Sequence, residues 1–246
     1  MNDSYFIPEN TRVYAIGDIH GMVTLLNQMH EKIAIDMVTS PVETPVIIYL
    51  GDYIDSGEDN YQVLETLIHR QSQEDGVKRI FLKGNHEDAM LRFLKDPVAG
   101  LGWLDYGGDK TMRDYGVNTD RINSVGDLQG LAEEFKAAVP QAHLNFLKSL
   151  ETFNIIGDYC FVHAGIRPGK TLENQNPEDL LYIREPFLNS TELFSKRIIH
   201  AHTPVKKPDI KPNRINVDTG AVYGGDLSCA VLEKDTVRIL SVNNDI

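Results

Sequence analysis

The stretch VIIYLGDYIDSG (46–57) joins an apolar run to a polar turn and decides how the chain folds. A short apolar run that ends at glycine is typical of a buried strand. Asp52 and Asp55 follow that strand within one turn. In open α/β sheets the ligand sites form where strands end and the chain leaves the core. The two carboxylates are therefore candidates for a functional site.

The same order of strand, polar loop and helix occurs three times in the first hundred residues. Strands are predicted at VYAIGD (13–18), VIIYLGD (46–52) and RIFLKGN (79–85), and each is followed by residues with helical spacing. Three such units predict an α/β protein whose sheet begins with parallel strands.

The last third of the chain consists mainly of short apolar runs. FNIIGDYCFVHAG (153–165) predicts a hairpin that turns at Gly157-Asp158. Further strands are predicted in RIIHAHTP (197–204), RINVDTG (214–220), SCAVLEK (228–234) and TVRILSV (236–242). We expect the second half to form an antiparallel or mixed sheet packed against the first.

Between Pro97 and Pro140 the periodicity loosens. We interpret residues 97–140 as an insertion, or cap, over the loops of one domain that spans residues 1–246.

The composition is that of an ordinary acidic globular protein. The chain has 246 residues, 41% of them hydrophobic, and a formal net charge of −12 at pH 7. This charge disfavours nucleic acid and anionic membranes as partners. Cys160 and Cys229 lie in separate apolar runs, and the N-terminal segment has no apolar core of signal-peptide length. We therefore expect a cytoplasmic protein.

Potential metal ligands follow almost every predicted strand. They are Asp18 and His20, Asp52 and Asp55, Asn85 and His86, His163, and His200 and His202. Any one of them could be a turn former or a packed histidine, but their repetition favours convergence on one site. Imidazole, carboxylate and amide ligands without thiolate suit Mn, Fe, Zn or Mg. The set is large enough for two divalent ions, with one carboxylate bridging them.

The motifs that carry these residues occur in a specific order. They are GDIHG (17–21), GDYIDSG (51–57), GNHE (84–87), VHAG (162–165) and AHTP (201–204). In order and spacing they resemble the calcineurin-like metallophosphoesterases. More narrowly, they resemble the phosphoprotein phosphatase superfamily and its small bacterial serine/threonine phosphatases. LLYIREPF (180–187) and INVDTGAVYGG (215–225) are similar to segments of bacterial members. The resemblance implies a central β-sandwich of two mixed sheets flanked by helices, with the metals at its top.

The resemblance also implies a role for each ligand. Asp18 and His20 would bind one metal ion, Asp52 would bridge, and Asn85, His163 and His202 would complete the second. His86 would be the general acid, held by Asp55. For Glu87, a role as an acid that favours the helix dipole is at least as plausible as a catalytic one, and for His200 we favour packing. Manganese is the first choice of metal.

The cations depart from the family pattern. Members with protein-phosphatase activity commonly have arginine where this chain has Ser56, and often arginine where it has Lys83. Arg184 matches a third arginine of the family, and Arg167 is a nearby alternative. We expect an active hydrolase in which Arg184 and the metals hold phosphate.

Three classes of function remain open. The first is a phosphatase acting on phosphoserine or phosphothreonine in proteins, with phosphotyrosine as an option, through a hydroxide that bridges the metals. The second is a hydrolase of dinucleoside polyphosphates such as diadenosine tetraphosphate, with Trp103, Tyr106 or Tyr223 stacking on a base. The third, least favoured because the ligand set is complete, is a non-catalytic metal-bound interaction module.

Overall fold

The computed structural model of the protein describes residues 5–120 and 124–244. The strands in these segments are β1 (Thr11–Ile16), β2 (Thr44–Tyr49), β3 (Lys78–Phe81), β4 (Phe153–Ile156), β5 (Tyr159–Val162), β6 (Arg197–His200), β7 (Asp209–Ile210), β8 (Arg214–Asn216), β9 (Leu227–Glu233) and β10 (Thr236–Val242). The helices are α1 (Val23–Thr39), α2 (Asn60–Gln71), α3 (Asn85–Lys95), α4 (Gly108–Asp114), α5 (Val125–Ala138), α6 (Gln141–Ser149) and α7 (Pro177–Tyr182). Short 3₁₀ helices cover Leu101–Tyr106, Leu172–Asn174 and Ala221–Tyr223. Residues 1–4, 121–123 and 245–246, which the predicted domain includes, lie outside the described residues.

The first sheet has the strand order β10-β9-β1-β2-β3. β1, β2 and β3 are parallel, with Val13 opposite Val46 and Ile47 opposite Arg79. This is the parallel beginning that the three strand–helix units predict.

The second sheet has the order β4-β5-β6-β8-β7 and is also mixed. β4 and β5 form the predicted hairpin, which turns at Gly157 with a backbone φ of 57°. β6 pairs parallel to both β5 and β8, so β5, β6 and β8 all run in one direction.

The last two strands correct the expectation that the whole second half forms one sheet. β9 and β10 return to the first sheet, where β9 pairs antiparallel with β1. β9 is buried along almost its entire length, so it needs cover on both faces. The cluster under the helices covers one face and the core between the sheets covers the other, while β1 and β10 pair with its two edges.

Side chains of β1 alternate between two apolar layers. Val13 and Ala15 pack with Phe161 in the core between the two sheets. Tyr14 and Ile16 belong to the larger apolar cluster under the helices. Because both faces are covered, the strand is apolar throughout rather than at every second position.

The predicted insertion packs on the helical side of the first sheet. Trp103 lies 5.3 Å from Phe93 of α3 and 5.7 Å from Phe135 of α5, measured between ring centroids. All three rings belong to the cluster that α1 and α2 cover. The division into one domain with a cap stays a prediction. Within the described residues, no helix combines the length and apolar character needed to cross a membrane.

Candidate metal centre

The loops after β1, β2, β3 and β6 bring most of the predicted site residues to one cavity of about 910 Å³. The predicted residues that line it are Asp18, His20, Asp52, Asn85, His86, His202 and Arg184. Asp55 and His163 are fully buried behind this lining. The fold therefore brings together site residues that span 185 positions of the sequence, from Asp18 to His202.

Asp52 lies between two groups of potential metal ligands. His20, Asp52 and His86 form one group and Asp52, His163 and His202 the other, with the ligand atoms of each group within 4.8 Å of one another. The Oδ2 atom of Asp52 is 3.6 Å from His20 Nε2 and 3.3 Å from His163 Nε2. A residue common to both groups could bridge two ions.

Backbone carbonyls orient the rings of two of these histidines. His20 Nδ1 lies 2.8 Å from the carbonyl oxygen of Ile54, and His163 Nδ1 lies 3.0 Å from that of Leu50. A hydrogen bond from Nδ1–H to a carbonyl leaves Nε2 as the lone-pair nitrogen, which is the usual arrangement of a metal-ligating histidine. In both residues Nε2 is the atom that faces Asp52.

Crowded acidic groups provide a test of whether cations fit this site. Asp18 Oδ1 and Asp218 Oδ2 are buried and have no hydrogen-bond partner. Burial and the charges of Asp218 and Asp52 raise the pKa of Asp18 well above its usual range. Bound divalent cations would compensate the charge of these buried carboxylates. The residues present therefore fit a centre for divalent ions.

His86 is bound at one nitrogen and open to the cavity at the other. Its Nδ1 lies 2.7 Å from Asp55 Oδ2, and its Nε2 lies 3.9 Å from Asp52 Oδ2. Burial lowers the pKa of His86, but the charge of Asp52 and the hydrogen bond to Asp55 outweigh burial and raise it to about 9. The hydrogen bond to Asp55 therefore favours the protonated ring, which can act as an acid.

His202 has the opposite electrostatic character. Burial and the neighbouring His163 lower the pKa of His202 to about 3. Its backbone N–H donates to Asp18 Oδ2 over 3.1 Å, which joins the loop after β6 to the loop after β1. A neutral ring is the form that binds metals.

Strained backbone is concentrated at this site. Among the described residues, the non-glycine residues with positive φ are Asn10, His20, Asp52, Asp55, Ser56, His202 and Lys234. Four of these seven are predicted site residues, and a side chain in the left-handed region costs about 1–2 kcal/mol. Such strain persists where surrounding structure imposes it, typically at functional sites.

Glu87 has a role that the sequence did not predict. It is fully buried, and its carboxylate accepts hydrogen bonds from the backbone N–H groups of Asp52 (3.0 Å), Tyr53 (2.7 Å) and Gly84 (2.8 Å). It therefore ties the loop after β2 to the start of α3. This is more than the helix-dipole role considered from the sequence, and its contacts are with the loops that carry the ligands.

The basic residues predicted to bind phosphate differ in whether they line the cavity. Arg184 is exposed and lines the cavity. Arg167 does not line it, because its guanidinium is bound to Asp179 (Nε to Oδ2, 2.8 Å). Lys83 also lies outside the lining. Neither side chain lines the cavity, and a role of Arg167 or Lys83 in phosphate binding stays a prediction.

Several residues near the site were not predicted from the sequence. Lys110 lines the cavity beside Ser56, and its Nζ donates to the Ser56 carbonyl over 2.8 Å. Asp218 lies in the segment INVDTGAVYGG (215–225), and the similarity of this segment to bacterial proteins could have indicated it as a site residue. Trp103 and Thr111 bond to Asp55. His200 packs its ring against Phe187 and is buried, as expected for a packing residue.

Comparison with known families defines the class of protein. Residues 11–240 match the calcineurin-like phosphoesterase family. Since the match covers most of the chain, the protein belongs to this family and is a metal-dependent hydrolase of phosphoric esters. Members of the family use a dinuclear centre of divalent metals, which agrees with the two ligand groups around Asp52.

Two proteins with similar sequences come from species of Bacillus. The asymmetrical bis(5′-nucleosyl)-tetraphosphatase PrpE of Bacillus velezensis is 27% identical over 235 residues, covering 87% of this chain and 86% of the relative. The protein of the same name from Bacillus subtilis strain 168 is 25% identical over 239 residues, covering 87% of each chain.

Solved structures show the same architecture. A structure described as a candidate diadenosine tetraphosphatase superposes with a TM-score of 0.65 at 18% identity, covering 97% of this chain and 98% of that chain. The cold-active protein-tyrosine phosphatase of the psychrophile Shewanella sp. gives a TM-score of 0.59 at 16% identity, covering 97% and 83%. These likenesses concern the fold, and they confirm the predicted β-sandwich of two mixed sheets flanked by helices.

Proposed function

We propose that the protein hydrolyses dinucleoside tetraphosphates asymmetrically, releasing a nucleoside monophosphate and a nucleoside triphosphate. The relatives that carry this activity in their names support the proposal. The sequence favoured phosphoserine or phosphothreonine in proteins and kept dinucleoside polyphosphates as the alternative. The relatives give the alternative more support.

The observation that carries the proposal is a cavity that contains both metal ligands and exposed aromatic rings. Tyr106 and Tyr223 line the same cavity as Asp52 and are 72% and 71% exposed. Exposed aromatic rings are stacking platforms for nucleobases. The volume of about 910 Å³ is near the top of the range of about 300–1,000 Å³ for ligand sites. Trp103, the third aromatic residue considered, is buried and is therefore no platform.

The assignment of the ligands follows the resemblance, which takes His86 as the acid and Asp18 as a ligand in its place. We assign Asp18 and His20 to one ion and Asp52 to both. Asn85, His163 and His202 complete the second. Bound ions would activate water and neutralise phosphoryl charge. Manganese stays the first choice, with Fe, Zn or Mg as alternatives.

Residues of the chain itself orient the substrate and supply the proton. Arg184 reaches the phosphoryl oxygens from the cavity wall. The oxygen of water bonds to the attacked phosphorus, and the bridging P–O bond to the leaving triphosphate breaks. His86 donates its Nε2 proton to the leaving oxygen, while Asp55 holds Nδ1. The proton lost by water is released to solvent, from which His86 is reprotonated.

The test is product analysis with diadenosine tetraphosphate and Mn²⁺. We expect equal amounts of AMP and ATP, no turnover after chelation, and none with Asp52→Asn. Tyr106→Ala and Tyr223→Ala should raise KM for diadenosine tetraphosphate while leaving KM for p-nitrophenyl phosphate within twofold. Two molecules of ADP as products would contradict asymmetric cleavage. Turnover of a phosphoserine peptide but not of the dinucleotide would contradict the proposal and favour phosphoproteins as substrates.

The remaining expectations about cellular context stay predictions. A small phosphoester substrate agrees with the expectation that neither nucleic acid nor membrane is a partner. A cytoplasmic location would place the enzyme with dinucleotide substrates, and fractionation of expressing cells would test it.

A further inference from the structure

We propose that the insertion, residues 97–140, positions the general acid. Trp103 and Thr111 act on His86 through Asp55, and they are positioning residues that do not touch the substrate themselves. The proposal rests on the proposed role of His86 as the proton donor.

Three side chains bond to the Asp55 carboxylate, and both of its oxygens are used. Trp103 Nε1–H donates to Oδ2 over 2.6 Å, and Thr111 Oγ1–H donates to Oδ1 over 2.5 Å. His86 Nδ1 binds Oδ2 over 2.7 Å. Thr111 Oγ1 also accepts the backbone N–H of Asp55 over 3.1 Å. Both ends of Asp55 are therefore held by the insertion.

This arrangement limits rotation of the carboxylate. A fully buried carboxylate with only one partner could turn about its terminal bond and take the His86 ring with it. Donors on both oxygens fix the plane of the carboxylate and thus the direction of His86 Nε2. Since proton transfer depends on heavy-atom distance and alignment, a fixed ring direction benefits catalysis.

Neighbouring residues of the insertion hold the two donors, Trp103 and Thr111, in position. Trp103 packs against both Phe93 and Phe135, and this packing restricts rotation of the indole. Gly108 begins α4 directly against the indole, because a Cβ there would lie 2.4 Å from Trp103 Cε2. This close approach brings Thr111, one turn further along α4, to Asp55.

The experiment measures how the rate depends on the leaving group. Adenosine 5′-aryl phosphates, from 4-nitrophenyl to phenyl, keep the attacked phosphorus constant and vary how much the leaving oxygen needs a proton. The variants are Trp103→Phe and Thr111→Val, with Thr111→Ser as the conservative rescue. His86→Asn defines the effect of losing the acid, and Phe135→Leu loosens the packing around Trp103 without removing a bond to Asp55.

We expect Trp103→Phe and Thr111→Val to lower kcat about 10-fold for the phenyl ester and less than threefold for the 4-nitrophenyl ester. Thr111→Ser and Phe135→Leu should keep the wild-type dependence, although Phe135→Leu lowers the melting temperature. An equal loss for all esters in Trp103→Phe and Thr111→Val would show a merely structural role and overturn the inference.

Two further outcomes separate this inference from the proposed function. If His86→Asn shows the wild-type dependence on the leaving group, the general-acid role itself fails. If His86→Asn shows a steeper dependence but the two insertion variants do not, only the inference fails. Trp103 is the single tryptophan of the chain, so benzothienylalanine incorporated in its place removes the N–H and keeps the ring. If Trp103→Phe does not fold, the protein with benzothienylalanine at position 103 gives the same comparison.

Discussion

Ser56 occupies the position where the resemblance implies an arginine, and a different cation lies beside it. Lys110 Nζ donates to the Ser56 carbonyl over 2.8 Å and lies 3.0 Å from Glu58 Oε1. A lysine presents a point charge on a flexible stem, whereas arginine offers a planar bidentate fork. The cation at this wall of the cavity is therefore a point charge rather than a bidentate fork.

Arg184 provides the first prediction at the level of single residues. Arg184→Ala removes a cation from the cavity wall, and a hydrogen bond to a charged group contributes about 1.5–3 kcal/mol. We expect the inhibition constant of inorganic phosphate to rise about 10-fold or more. Arg167→Ala is the matched control, because Arg167 is bound to Asp179 outside the cavity. An unchanged constant in Arg184→Ala would exclude Arg184 from phosphate binding.

Glu87 provides the second prediction. In Glu87→Gln one acceptor oxygen becomes a donor that faces the backbone N–H groups of Asp52, Tyr53 and Gly84. Leaving buried donors unpaired costs about 1–3 kcal/mol each. We expect urea denaturation to show a loss of roughly 2–3 kcal/mol in the free energy of unfolding.

The control for Glu87→Gln is the next residue on the same helix. Asp88 pairs with the half-exposed Arg92, and such pairs contribute about 0–1 kcal/mol. Asp88→Asn also keeps an oxygen that can accept the hydrogen bond from the Tyr182 hydroxyl. Asp88→Asn should therefore change the free energy of unfolding by no more than about 1 kcal/mol. Equal losses in the two variants would mean that Glu87 does not hold the loops together.

At the level of elements, α1 contains a buried histidine that makes stability depend on pH. His30 Nε2 lies 2.9 Å from Tyr49 Oη, and His30 Nδ1 has no partner. Burial and the charges of Arg70 and Arg79 lower the pKa of His30 to about 3. Below its ordinary pKa of about 6.5, the unfolded chain takes up a proton that the folded protein does not. The folded state is then destabilised as the pH falls.

The corresponding prediction compares His30→Gln with the wild type in the presence of chelator. Between pH 6.5 and pH 5 the wild type should lose about 2 kcal/mol that His30→Gln does not lose. Urea denaturation followed by the fluorescence of Trp103 measures this difference. Tyr49→Phe removes the partner but keeps the histidine, so it should retain the wild-type slope. Parallel slopes for His30→Gln and wild type would contradict the prediction.

Local patterns predicted the elements that carry the ligands but not the contacts between them. Asp18, Asp52 and Asn85 each follow an apolar run, which can be recognised within ten residues. Trp103 bonds to Asp55 across 48 residues of sequence, and Thr111 does so across 56. The segment that contains Trp103 and Thr111 has no clear periodicity, so the local sequence did not predict that it packs against the site. The same applies to β9, because its apolar pattern does not indicate which sheet it joins.

At the level of the whole molecule, metal binding should stabilise the fold because the ligands come from loops of both sheets. A ligand that binds only the folded state adds about 2.7 kcal/mol at 100 times its Kd. We expect Mn²⁺ to raise the melting temperature and EDTA to reverse the rise. Asp52→Asn should lose most of the effect, since Asp52 belongs to both ligand groups.

The control for this prediction is His30→Gln, which lies outside the metal centre and should keep the full rise in melting temperature. A rise in Asp52→Asn as large as that of the wild type would mean that the ions bind elsewhere.

The return of β9 to the first sheet also affects how the protein is made on the ribosome. β1 pairs with β2 on one side and with β9 on the other, and β9 ends at Glu233. At about 5–20 residues per second, translation from β1 to the end of β9 takes on the order of 10–40 s. During that time the apolar edge of β1 is open to other chains. Chaperones that bind the nascent chain over this interval would cover this edge until β9 pairs with it.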